Sequence, residues 1–238
     1  MKLLLILLIP FQLLANRPTL YIPINEFYSN PQQEGFLTEL IQRLEIKSFE
    51  VKFLPFKRAI SDYLQDENNN CFAGGDEELS KHYIPNFVLS KYVFSDAYIK
   101  VPSRIFSLNE EVCDVSDLKG RSILRIQQFP IEQFIDIKEL KHLYDIESSV
   151  NAVKMLESKR ADFIVTFYAD NFHALQKLKY CKSLILLTHL DKFQCHRNPQ
   201  TEKGIRELNK KIRAFKKSGD LLKLVKKYFK DQYKQFLN

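Results

Sequence analysis

The sequence predicts two α/β units, each of about a hundred residues, followed by a helical C-terminal stretch. Three observations carry that prediction. Strand-like alternation and helix-like spacing take turns from residue 19 to residue 73, and again from residue 92 to residue 187. Glycine (6) and proline (9) are scarce in 238 residues, which argues against a many-turned all-β chain. A 45% apolar fraction beside 27% charged residues supports a substantial core without staples and excludes wholesale disorder.

In the first unit, residues 19–24 (TLYIPI) read as a strand. A loop through Asn25, Glu26, Phe27, Tyr28 and Pro31 follows. Residues 35–46 then set Phe36, Leu37, Leu40, Ile41 and Leu44 on one helical face. Phe49, Val51 and Phe53 alternate with Glu50 and Lys52 as a second strand. Pro55 opens the next helix, where a first-turn proline is tolerated. Ala59, Ile60, Tyr63 and Leu64 form that helix's apolar face, and residues 68–70 end it. Cys71-Phe72-Ala73 is a short third strand running into Gly74-Gly75-Asp76. The order β-α-β-α-β is that of a parallel sheet covered by helices.

In the second unit, residues 92–107 read as extended, 117–121 as a turn and 122–126 as a strand. Residues 129–143 read as a helix with one proline near its start. Val150, Val153 and Leu156 form a further helix face ending near Lys159-Arg160, and strands follow at 162–167 and 184–187. Ile205, Leu208, Ile212 and Phe215 share one helical face; Gly219 interrupts it, and Leu221, Leu222, Val225 and Phe229 resume it.

The net charge of +7 is localised. Residues 203–238 hold twelve Lys and Arg against three acids, leaving 24 basic and 26 acidic residues elsewhere. The basic character belongs to the C-terminal helices, so nucleic acid is not an expected partner. At the other end, Met1 and Lys2 precede an apolar run from Leu3 to Ile9, then Pro10 through Ala15. This is the pattern of a secretory signal peptide, residues 1–15, with cleavage after Ala15. A spanning helix needs about 20 apolar residues, so the mature chain is expected to be exported, without a membrane span. In an oxidising compartment Cys71, Cys113, Cys181 and Cys195 allow two disulfides in three possible pairings, or four buried thiols. No pair has metal-site spacing, and neither a metal nor a cofactor is expected.

Several short motifs occur in a telling order. Gly35-Phe36 opens the first helix, Leu54-Pro55-Phe56-Lys57-Arg58-Ala59 follows the second strand, and Val88-Leu89-Ser90-Lys91-Tyr92 comes next. Asp117-Leu118-Lys119-Gly120-Arg121, then Met155-Leu156-Glu157-Ser158-Lys159-Arg160-Ala161-Asp162, Leu208-Asn209, Gly219 and Lys227-Tyr228-Phe229 complete it. In this order the chain resembles the family 3 extracellular solute-binding proteins, periplasmic receptors of polar amino acid ABC importers. The resemblance spans essentially the whole mature chain. It implies a two-lobed periplasmic-binding-protein fold, each lobe a mostly parallel sheet flanked by helices. Lobe one would hold residues 16–98 and 190–238, lobe two residues 99–189, with two crossing segments as the hinge. It further implies disulfides Cys71–Cys195 and Cys113–Cys181.

The departures from the family are specific. Its members carry an Arg after the third strand that clamps the ligand carboxylate. Here residues 74–82 hold no Arg, and Lys81 supplies only a point charge. The family's Asp for the ligand ammonium would fall at Phe167; the nearest acid, Asp170, comes three residues later. A standard free α-amino acid is therefore not the expected ligand.

Open α/β sheets bind ligands beyond the C-terminal ends of their strands. The candidates there are Glu26, Phe27, Tyr28, Arg58, Gly74, Gly75, Asp76 and Lys81 in lobe one. Gln127, Gln128, Thr166, Tyr168 and Asp170 are those of lobe two. Seven of them have a plainer alternative: wall packing for Phe27 and Tyr28, an ion pair with Asp62 for Arg58, a tight turn for Gly74 and Gly75, and solvated loop positions for Asp76 and Asp170.

The expectation is an exported, monomeric periplasmic protein that captures a small polar or aromatic-bearing solute by hinge closure. It would deliver that solute to an ABC importer permease or a membrane sensor, without turnover. A dehydratase-like enzyme on the same fold is the first alternative; its general acid would be Asp76, Glu77 or Glu26. Docking to a membrane or partner through the basic C-terminal helices is the second.

Overall fold

The computed structural model describes residues 17–237 except 26, 33–34, 66–68 and 127–128. The signal peptide read at 1–15 and the candidates Glu26, Gln127 and Gln128 therefore lie outside the described residues.

β1 (Thr19–Ile24), β2 (Glu50–Pro55) and β3 (Asn70–Ala73) form the parallel part of a first sheet, with β1 in the middle. The crossovers are α1 (Phe36–Leu44) and α2 (Phe56–Gln65). α1 buries Phe36, Leu37, Leu40, Ile41 and Leu44, the face its spacing predicts. At its start, a Cβ on Gly35 would lie 2.6 Å from the Tyr28 carbonyl oxygen. Only glycine lets the loop after β1 come that close, and the Leu37 amide bonds the same carbonyl at 2.8 Å. β4 (Tyr92–Phe94) and β10 (Phe193–His196) complete the sheet in the order β2-β1-β3-β10-β4, β10 running antiparallel to both neighbours. That register sets Cys71 opposite Cys195, and a disulfide joins them, as the resemblance implies.

The second sheet repeats the plan. β6 (Ser122–Ile126) lies between β7 (His142–Ile146) and β8 (Phe163–Phe167), all parallel. β5 (Ile99–Phe106) pairs antiparallel with β8, and β9 (Thr188–Asp191) antiparallel with β5, giving β7-β6-β8-β5-β9. Each sheet is thus three parallel strands, the earliest of them in the centre, extended by one antiparallel strand and an outer strand that runs with the first three. α4 (Ser149–Glu157) and α5 (Tyr168–Leu175) belong to this half, and Cys113–Cys181 is its disulfide. Glu111 lies beside those two sulfurs, but their bond removes them as metal ligands.

The chain crosses between the sheets twice, at 95–98 and at Lys192. The two crossings are laced together. Ser95 N donates to Phe193 O at 2.8 Å, Phe193 N to Ser95 Oγ at 2.9 Å, and Tyr98 N to Asp191 O at 2.9 Å.

α6 (Pro199–Lys217) is capped by Asn198 and Thr201 in a reciprocal box, and Gly219, at φ 78°, separates it from α7 (Asp220–Phe229). Of the apolar stripe read from sequence, Ile205, Leu208, Ile212, Leu221, Val225 and Phe229 are buried while Leu222 is exposed; Lys211 caps the α1 carbonyls of Leu44 and Glu45, and Lys227 pairs with Glu39. Residues 230–236 then leave this half. Phe236, fully buried, packs on Tyr168 and Phe172 of α5, and Gln235 accepts from Arg104 of β5 at 3.2 Å. A segment assigned by the resemblance to lobe one therefore ends against the second sheet.

Two elements differ from the sequence reading. Residues 129–143 do not form a helix; they make two short 3-10 turns, Ile131–Gln133 and Ile137–Glu139, before β7. Pro130 withholds an amide, Asp136 caps the second turn through the Lys138 amide, and His142–Ile146 pairs with β6. Residues 184–187 form no strand. The buried Arg104 guanidinium takes the carbonyls of Cys181, Lys182 and Leu184, and ladder pairing with β5 begins only at Thr188. α3 (Glu77–Tyr83) and α5 were not anticipated, although Asp76 followed by Glu77-Glu78 is a helix-start signal.

Candidate functional site

β1 is flanked by β2 and β3, while α1 packs with α6 and α7 and α2 against β1 and β3. The crossovers leave the centre of the sheet in opposite directions, which opens a crevice at the strand ends. A cavity lies there, with about 70 Å³ open to the centres of water-sized molecules. That is room for several waters or a small organic body. Its first-sheet wall is mainly apolar, including Phe56, Ile60, Phe72, Leu79 and Tyr83, with Gly74 and Gly75 at the end of β3. The second half contributes Phe167 and Asp170, and β9 contributes His189 and Asp191 beside the crossing.

Asp191 organises the floor. It accepts from the Tyr28 hydroxyl at 2.5 Å and from the Gly75 amide at 3.1 Å, and His189 Nε2 lies 2.8 Å from it. Gly74 and Gly75 turn at φ 107° and 87°, which an L side chain would resist, and this turn aims the Gly75 amide. Burial works against the Asp191 charge, but the His189 and Tyr28 hydrogen bonds overcome it and hold its pKa below the ordinary value. For His189 burial also opposes the charge, and the Asp191 contact prevails, so its pKa is raised. Its Nδ1 is buried without a partner. Asp170 stands apart. Burial first, and the negative Asp191 second, push its pKa up to about 7. Burial lifts the Tyr28 and Tyr98 hydroxyls well above their usual range, so both stay protonated.

Contacts across the cleft close its mouth. Phe27 lies against His173 of α5 with ring centroids 5.1 Å apart. Gln133 Nε2 is 2.8 Å from His82 Nε2, and Lys57 meets Glu147 at 2.7 Å.

Of the residues named from sequence, Tyr28, Gly74, Gly75 and Asp170 line this cavity together. Phe27 sits at its rim against His173. The others stand elsewhere. Arg58 is exposed and lies 3.7 Å from Asp62; Lys81 is exposed and pairs with Glu78 at 2.7 Å. Asp76 caps α3 through the Glu78 and Leu79 amides and ties β9 through the Leu190 amide. Thr166 is buried and accepts from Asn171, and Tyr168 is enclosed by Phe106, Phe172, Tyr180 and Phe236. Sequence reasoning missed Asp191 and His189, which lie 116 and 114 residues beyond Gly75 and carry no local motif.

No protein-family profile and no curated protein matches this sequence. Solved structures do. A mutant of ArgBP from T. maritima superposes with a TM-score of 0.68 at 17% identity, covering 90% of this chain and 95% of that one. The solute receptor for L-cysteine of Neisseria gonorrhoeae gives 0.68 at 14% identity, covering 93% and 96%. The ancestral amino acid-binding protein AncCDT-1, a precursor of cyclohexadienyl dehydratase, gives 0.64 at 20% identity, covering 90% and 96%. Identities this low establish architecture alone, and the architecture is the two-lobed periplasmic-binding-protein fold.

Proposed function

We propose that this chain is an exported solute-binding protein whose cleft captures a small polar or aromatic-bearing solute. The observation that carries the reading is the closed cavity at the switch point, walled by both sheets and floored by a carboxylate at the crossing. Residues 16–98 and 190–238 act as lobe one and 99–189 as lobe two, except that 230–236 pack against lobe two. Tyr28, Gly74, Gly75 and Asp170 meet the ligand, and Phe27 closes over it. Rotation about the 95–98 and Lys192 crossings opens and shuts the cleft. The bound form is presented to an ABC importer or a membrane sensor from the periplasm. Among the described residues no helix is long and apolar enough to cross a membrane.

The test is a thermal-shift screen of the mature, oxidised protein against amines, amino acids, carboxylic acids and short peptides. A ligand at about 100 times its Kd adds roughly 2.7 kcal/mol, a shift of several degrees at this size. Calorimetry then gives one site per chain, and mass spectrometry shows the solute unchanged. Turnover of the solute would replace this reading with the enzymatic one, and a flat screen would reject it.

A further inference from the structure

Resting on the reading that the cavity binds a solute, we infer that its ligand is an ammonium-bearing compound without a carboxylate. Asp170 pairs with the ammonium group, and the aromatic wall holds the body.

The charges around the cavity decide its sign. Among the described residues its titratable lining groups are Tyr28, Tyr83, Asp170, His189 and Asp191, with no Lys or Arg. Asp191 is fully engaged by Tyr28, Gly75 and His189. His189 stands against Asp191 at 2.8 Å, which leaves Asp170 as the lining carboxyl without a partner among the described residues. Asp170 comes from the other half of the molecule and forms no hydrogen bond or ion pair with a described residue; what acts on it is burial and the field of its neighbours. A carboxylate in a closed, largely apolar cavity calls for a cation with hydrogens to donate.

A ligand carboxylate has no Lys or Arg counterpart among the described lining residues. Residues 74–82 hold no Arg, and both cations near that turn, Lys81 and Lys192, are paired outward with Glu78 and Glu77. A ligand carboxylate would meet the Asp170 and Asp191 carboxyls there and no Lys or Arg among the described lining residues. The position at which an acid would hold an α-ammonium is Phe167, whose ring stands edge-on to His189 at 4.4 Å. Phe56, Phe72, Tyr83 and Phe167 instead offer faces and edges to an apolar body and to the cation itself. The free Nδ1 of His189, 3% exposed as a residue, is left for one hydroxyl or carbonyl oxygen of the ligand.

The experiment is calorimetric titration of the mature, oxidised protein with four probes of one skeleton: 2-phenylethylamine, phenylalanine, 3-phenylpropanoate and 2-phenylethanol. The amine should bind tightest, roughly tenfold or more above the alcohol, with the amino acid weaker and the acid weakest. In Asp170→Asn the amine should lose its advantage over the alcohol. Tightest binding of the acid or the amino acid overturns the inference, as does an amine affinity that Asp170→Asn leaves intact. Absence of binding by all four also overturns it. The broader solute screen then decides independently whether the cavity binds anything, so the two failures are told apart. The ranking of the four probes on the unmodified protein needs no variant to fold.

Discussion

The Tyr28 hydroxyl donates to the Asp191 carboxylate at 2.5 Å across 163 residues of sequence. It thereby fastens the loop after β1 to the strand that returns through the crossing. The loop after β1 and the strand that leads into the second crossing share this buried hydrogen bond.

Tyr28→Phe keeps the ring stacked on Phe36 but removes that donor. A buried, charged acceptor loses a partner, at a cost of about 1–3 kcal/mol. Urea unfolding of the two proteins measures it directly. An unchanged midpoint would mean that Asp191 is served by Gly75 and His189 alone.

Asp170 gives the ligand-free protein a pH signature. Its folded pKa of about 7 lies above the unfolded value, so the folded state holds a proton that the unfolded state has released between about pH 4 and 7. That contribution is fully present below about pH 4 and is lost as pH rises through 7. Asp170→Asn should remove this slope and stabilise the ligand-free protein at pH 8 by up to about 4 kcal/mol. Melting temperatures from pH 5 to pH 8 report it, and parallel curves for the two proteins would refute the assignment.

Phe236 is buried against Phe229, with ring centroids 4.2 Å apart, and against Tyr168 of the second half. Phe236→Ala should cost about 3–5 kcal/mol, the range for emptying a buried aromatic site. A mere tail would show no change in the denaturation midpoint.

The two disulfides close long stretches of chain, 124 and 68 residues apart. Replacing either pair with serines should cost about 2–5 kcal/mol, chiefly through the freer unfolded chain. Because the entropy of closure grows only with the logarithm of length, the two losses should be similar. Denaturation of the two double variants checks both statements.

What the sequence by itself determined is the set of elements whose signal is local. The stripe of Phe36, Leu37, Leu40, Ile41 and Leu44 and the break at Gly219 are visible because apolar spacing and backbone permissiveness act within a few residues. The Gly74-Gly75 turn and Asp170 were legible as site candidates for the same reason: strand ends in such sheets are where ligands approach. Tertiary structure alone decided the rest. Residues 142–146 became a strand because β6 offered a parallel partner, and residues 184–187 stayed irregular, with the Leu184 carbonyl held by Arg104 and the Leu187 amide and carbonyl by the Ser103 hydroxyl. Asp191 and His189 entered the cavity because antiparallel pairing with β5 delivers them to its floor. Charge compensation depends on distances in space, and no reading of neighbours along the chain gives the separation of Tyr28 from Asp191.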